Sequence, residues 1–118
     1  MTQPYDLEDR TLAFARRVRA FLKTLPRTLT NTEDARQLTR ASGSVGANYV
    51  EANEAVSKRD FLLRIKICRK EAKEARYWLR LIDIGENRAA ASERDALVQE
   101  ATELPRIFGA ILRNTASK

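Results

Sequence analysis

Three features of this 118-residue sequence predict an all-α, up-down-up-down four-helix bundle. Four segments repeat apolar residues three and four apart, the period of a helix with one buried face. Each opens on a residue suited to an N-cap: Asp6, Thr30, Ser57 and Ser92. Only four Gly and three Pro leave little chain for turns, so long helices joined by short loops are expected. No strand pattern, internal repeat or low-complexity tract competes with this. A single domain of this length removes roughly two-thirds of its surface from water on folding.

The expected helices span about residues 6–25, 31–56, 58–84 and 93–114. In the first, Leu7, Phe14, Val18, Phe21 and Leu25 form the apolar face, Arg16, Arg19 and Lys23 the solvated one, and Pro26 ends it. Thr30 with Glu33 reads as a capping box for the second, in which Leu38, Ser42, Val45, Tyr49, Ala52 and Val56 recur at helical spacing. Gly43 and Gly46 interrupt its propensity by about 1 kcal/mol each, yet the periodicity continues through them. They read as a surface of close approach. A phosphate loop is the alternative, but the spacing matches neither G-x-G-x-x-G nor G-x-x-x-x-G-K-[ST], and no strand precedes it.

The third helix, capped by Ser57 with Asp60 and closed by a left-handed Gly85, dominates the chain. Phe61, Ile65, Cys68, Ala72, Ala75, Leu79 and Ile82 form its core stripe. Lys66, Arg69, Lys70, Lys73, Arg76 and Arg80 form a basic ladder on another arc, the candidate nucleic-acid-binding residues. Ile67, Trp78 and Leu81 make a second apolar strip and the candidate oligomer interface. Arg64, Glu71 and Glu74 lie near that flank, off the basic arc, and are expected to meet partners such as Asn48 or a neighbouring helix. Paired carboxylates can do acid–base work, but structural pairing with Arg64 is favoured because no other catalytic group is in view. In the fourth helix Ser92 with Asp95 is the expected cap, Leu97, Ala101, Leu104, Phe108 and Ile111 line one face, and Pro105 should bend it. The tail from Asn114 has no apolar side and should fray.

Composition narrows the function. There is no His, which excludes a Ser-His-Asp triad, a histidine base and a His-based metal site. One Cys excludes Cys-cluster zinc or iron–sulfur centres, and no enzyme, cofactor or metal is expected. Cys68, on the core stripe, reads as buried filler that fits a reducing cytoplasm. No apolar run approaches 18 residues and no leader pattern occupies Met1 to Leu12, so a cytoplasmic location is expected. The net charge of +6 favours polyanions, and it is uneven. Residues 58–85 carry nine Lys and Arg against four Asp and Glu, whereas residues 31–57 carry two against four.

The segments RASGSVGANYVEA (Arg40 to Ala52) with the preceding Gln37-Leu38, and SKRDFLLRIKICRKEAKEARYWLRL (Ser57 to Leu81), resemble the four-helix-bundle family encoded in intervening sequences of bacterial 23S ribosomal RNA genes. The resemblance covers nearly the whole chain, with Pro105 departing from the family's unbroken last helix. It implies a homopentameric ring and a similarity to the accessory variability determinant of diversity-generating retroelements. A basic pentamer of that kind associates with a reverse transcriptase and with nucleic acid. Of the ladder, Lys66, Arg69, Lys73, Arg76 and Arg80 are the positions the resemblance carries over, with Tyr77 and Trp78 as packing or interface residues. Two functions compete: nucleic-acid binding through the ladder, and a structural or protein-interaction scaffold in which the ladder is a solvated face.

Overall fold

Four helices account for most of residues 6–117, the part of the chain that the computed structural model describes. They are α1 (Leu7–Leu22), α2 (Leu29–Asn53), α3 (Lys58–Leu81) and α4 (Arg88–Ala116), with no strand among the described residues. Consecutive helices pack side by side and α1 meets α4 more lightly, which closes an up-down-up-down bundle with extents of 49 × 29 × 19 Å. The leader reading and the frayed tail rest partly on residues 1–5 and 118, which lie outside the described residues.

Side-chain caps set the starts. Asp6 accepts from the Glu8 N–H at 2.8 Å and Ser57 from the Asp60 N–H at 3.0 Å, as the sequence predicts. The other two starts differ. Thr28 caps α2 by accepting from Asn31 N–H at 3.1 Å, which places Thr30 inside the first turn. Asn87 caps α4 by accepting from Ala90 N–H at 3.1 Å. Arg88 to Ala91 are strong helix formers, so the helix extends back past Ser92 to the first side chain able to close it.

The ends also differ from expectation. α2 stops at Asn53 through short-range bonds from Glu54 and Ala55 N–H to Glu51 and Ala52 carbonyls, both 3.1 Å, so Val56 lies beyond it and is 94% exposed. α3 stops at Leu81 because Asn31 holds the following loop. Buried Asn31 donates to the carbonyls of Pro26 (3.0 Å) and Asp83 (2.7 Å) and accepts from Asp83 N–H (3.0 Å), which ties the α1–α2 and α3–α4 loops together. Gly85 is left-handed, with φ of 67°, but it serves the turn after this clamp instead of the helix end. α4 continues unbroken through buried Pro105 and on to Ala116, beyond the expected fraying point.

The apolar stripes meet along the axis. Phe14, Val18, Leu38, Val45, Ile65, Leu79, Leu97, Leu104 and Phe108 are essentially inaccessible. Each such large side chain contributes about 1.5–3 kcal/mol through burial. Between α1 and α2 the approach is close at Gly46, where an added Cβ would stand 2.8 Å from Thr11 Oγ1. That oxygen is fixed, since it donates to the Leu7 carbonyl at 2.7 Å and lies 3.1 Å from that of Glu8. At Gly43 the same atom would meet only the mobile end of Arg19, at 3.2 Å.

Gly46→Val should therefore lower the melting temperature by several degrees, overpacking of about 1–3 kcal/mol outweighing the gain in helix propensity. Gly43→Ala should match or exceed the parent, and calorimetry of the pair would separate close approach from a general dislike of substitution in this segment.

Cys68 is fully buried and its thiol is pushed up to about 12, chiefly by the cost of burying a thiolate. A raised thiol pKa stabilises the fold fully below the unfolded value and ever less as pH rises through the interval up to the folded one. At pH 8 a disulfide-exchange reagent should leave native Cys68 unmodified and react at once after unfolding in guanidinium; rapid reaction of the native protein would show that the core opens here.

Candidate functional site

Burial of the α3 stripe fixes the rotation of that helix and hence the direction of every other side chain on it. Lys66, Lys70, Lys73 and Arg80 are exposed, while Arg69 and Arg76 stand half-exposed on the side of α4. Lys66 to Arg80 covers about 21 Å of helix at 1.5 Å per residue. Lys70 approaches Glu71 at 3.9 Å. None of the other five has a carboxylate within 4 Å among the described residues.

The structure brings in two cations that the sequence reading leaves out. Arg106 and Arg113, on α4, line a groove with Arg69, Lys73 and Arg76; Thr102, Pro105 and Gly109 complete the lining, and the groove encloses about 430 Å³. No Asp or Glu borders it. Arg106 and Arg113 are seven residues apart and so share one side of their helix, a pattern present in the sequence. Periodicity does not say which neighbour that side faces. Lys66, Lys70 and Arg80 lie outside the groove.

The carboxylates are held elsewhere. Glu71, buried on the opposite flank of α3, takes Arg40 of α2 at 3.3 Å, and Glu74 is paired with the same guanidinium. This corrects the expected pairing with Arg64, which instead reaches Asn48, the other partner expected for this flank, at 3.2 Å and Asp60 at 3.9 Å. Arg40 comes from another helix, so no spacing within α3 could reveal it. Between α1 and α4, Arg10 makes two 2.7 Å bonds to Glu100 and one of 3.1 Å to Glu103, and Arg17 pairs with Glu93 at 3.0 Å. Hydrogen bonds from Gln99 and Arg10 hold the Glu103 carboxyl below its ordinary value. The Glu100 carboxylate, through its hydrogen bonds, raises the Arg10 pKa.

The second apolar strip is partly absorbed. Ile67 and Trp78 are half-buried, Trp78 packs against the core edge, and its Nε1–H donates to Glu74 at 3.2 Å. Leu81 is 52% exposed and is joined on the outer side of α3 by Leu63 (54%) and Tyr77 (58%), the latter edge-on to Trp78 at 5.1 Å. Among the described residues no group of His, Cys, Asp and Glu could hold a metal ion, and no helix is long and apolar enough to cross a membrane.

The family model for the 23S rRNA-intervening sequence protein matches residues 5–110. A crystal structure from Bacteroides thetaiotaomicron, of a protein with unknown function from the S23 ribosomal protein family, is similar at 30% identity. The match covers 91% of this chain and 98% of that one, with a TM-score of 0.74. No curated protein matches. The capped four-helix architecture and a family match spanning all but its two ends agree: this chain belongs to the 23S rRNA-intervening sequence protein family.

Proposed function

We propose that the protein binds nucleic acid without catalysis, by placing the basic face of α3 against the phosphate backbone. The observation that carries this is a charge separation within the bundle. Five carboxylates of α3 and α4, those of Glu71, Glu74, Glu93, Glu100 and Glu103, are paired with Arg40, Arg17 and Arg10, whereas five of the six ladder cations have no ion-pair partner among the described residues. An ordinary solvated face mixes both signs; this one presents a single sign over about 21 Å. Backbone contacts of this type give salt-dependent affinity with little sequence preference. The absence of His and the burial of Cys68 favour a binding role over an enzymatic one.

Replacing Arg69, Lys73 and Arg76 with Ala should flatten the log–log salt dependence of duplex DNA binding by roughly two to three units, at about 0.9 per phosphate neutralised. Circular dichroism should show an unchanged helix content. An unchanged slope and affinity would leave the ladder a solvated face and favour the scaffold reading.

Self-association is the second part of this reading. Leu63, Tyr77 and Leu81 expose apolar surface beside Ile67 and Trp78 on one side of α3, more than a lone helix face needs. A homopentameric ring would repeat the basic face five times. Light scattering at micromolar concentration should give a mass above 13.4 kDa, and Leu81→Glu should reduce it; a monomeric parent protein would remove self-association from the proposal.

A further inference from the structure

The groove between α3 and α4 is where cations from two helices converge, and the α3 ladder alone does not account for it. Arg69, Lys73 and Arg76 form one wall and Arg106 and Arg113 the other. Each wall runs seven residues, or about 10 Å. Packed helix axes lie about 8–10 Å apart, so the two rows flank a slot, not a plane. The floor suits close approach. Gly109 has no side chain, and a Cβ there would lie 3.5 Å from the Arg113 guanidinium, so this group extends over bare backbone. Thr102 is committed to the Val98 carbonyl at 2.8 Å. The cations are therefore the donors the slot offers.

Five like charges around about 430 Å³ repel one another, and no carboxylate in the lining offsets them. Glu103, whose charge is felt by Arg106, is turned to Arg10 and Gln99 at 3.1 and 3.0 Å. An anion in the slot removes that repulsion. No aromatic side chain lines it, so there is no platform on which bases could stack.

We infer that this slot seats one phosphodiester strand lengthwise, two or three successive phosphates lying between the α3 and α4 rows. Arg106 and Arg113 then contact the backbone on equal terms with the α3 cations. This rests on the nucleic-acid reading and goes beyond it by assigning residues of α4 and a single backbone as the ligand. A duplex presents one of its two backbones to the slot, and a single strand presents its only one.

The test is a salt titration by fluorescence anisotropy with a labelled 20-base-pair DNA duplex and a labelled oligothymidylate of the same length. For both probes, Arg106→Gln with Arg113→Gln should flatten the salt slope by roughly one to two units. Arg106→Lys with Arg113→Lys should keep the parent slope, because the charge is retained, and this second pair also guards against a fold defect in the first. A slope lost with one probe only would overturn the single-backbone ligand. If the Gln pair leaves slope and affinity unchanged while the α3 triple variant flattens them, the slot is refuted and the ladder reading stands. If the parent protein binds neither probe, both fall.

Discussion

Burial of the α3 stripe is the constraint on which the rest of the molecule depends. Ile65, Cys68, Ala72, Ala75 and Leu79 are fully buried, and a helix that hides five such positions has only one permitted rotation. Ala72 and Ala75 are small, which lets the flanking helices come near the α3 backbone. Everything polar on α3 follows from this rotation. Glu71 and Glu74 are carried toward α2, Arg69 and Arg76 toward α4, and the exposed lysines toward solvent.

Polar contacts then fix what apolar packing leaves loose. Asn31 satisfies its amide by holding two loops at one end of the bundle, and no buried side-chain polar atom among the described residues lacks a partner. The α1–α4 contact, the lightest in the bundle, is bridged by the forked pairing of Arg10 with Glu100 and by Arg17 with Glu93. Such partly exposed pairs add little stability, and their effect is chiefly on which helix faces which. They also consume carboxylates. The α3–α4 groove is lined by five cations and no carboxylate, while Glu71, Glu74, Glu93, Glu100 and Glu103 of those helices are engaged elsewhere.

A bundle of this kind says little about biochemistry by itself, because many unrelated functions occupy the same architecture. The family match settles ancestry and fold. The functional argument comes from side chains, and two surfaces of α3 compete in it. One is cationic and shared with α4. The other is apolar, with Leu63, Tyr77 and Leu81 exposed. They adjoin each other on α3, since Leu63 borders the same hollow as Lys66 and Tyr77 follows Lys73 by one turn, while Arg106 and Arg113 lie on the α4 side of the groove.

Helix number, the phase of each helix and the identity of the core were legible in the sequence, because they depend on periodicity within one segment. The α3 stripe, the burial of Cys68, the close approach at Gly46 and the caps Asp6 and Ser57 are of this kind. Where several candidate caps lie within a turn or two, as at Thr28 and Thr30 or Asn87 and Ser92, local chemistry is nearly degenerate. The loop geometry and the propensity of the adjoining residues choose between them. Partner choice between helices was legible only at Arg64, which meets Asn48 of α2 as expected. That Arg40 meets Glu71 and Glu74, that Asn31 clamps Asp83, and that Arg106 and Arg113 face Arg69, Lys73 and Arg76 across one groove were decided only by the tertiary structure, since a helical repeat specifies the face of a residue but not what packs against it.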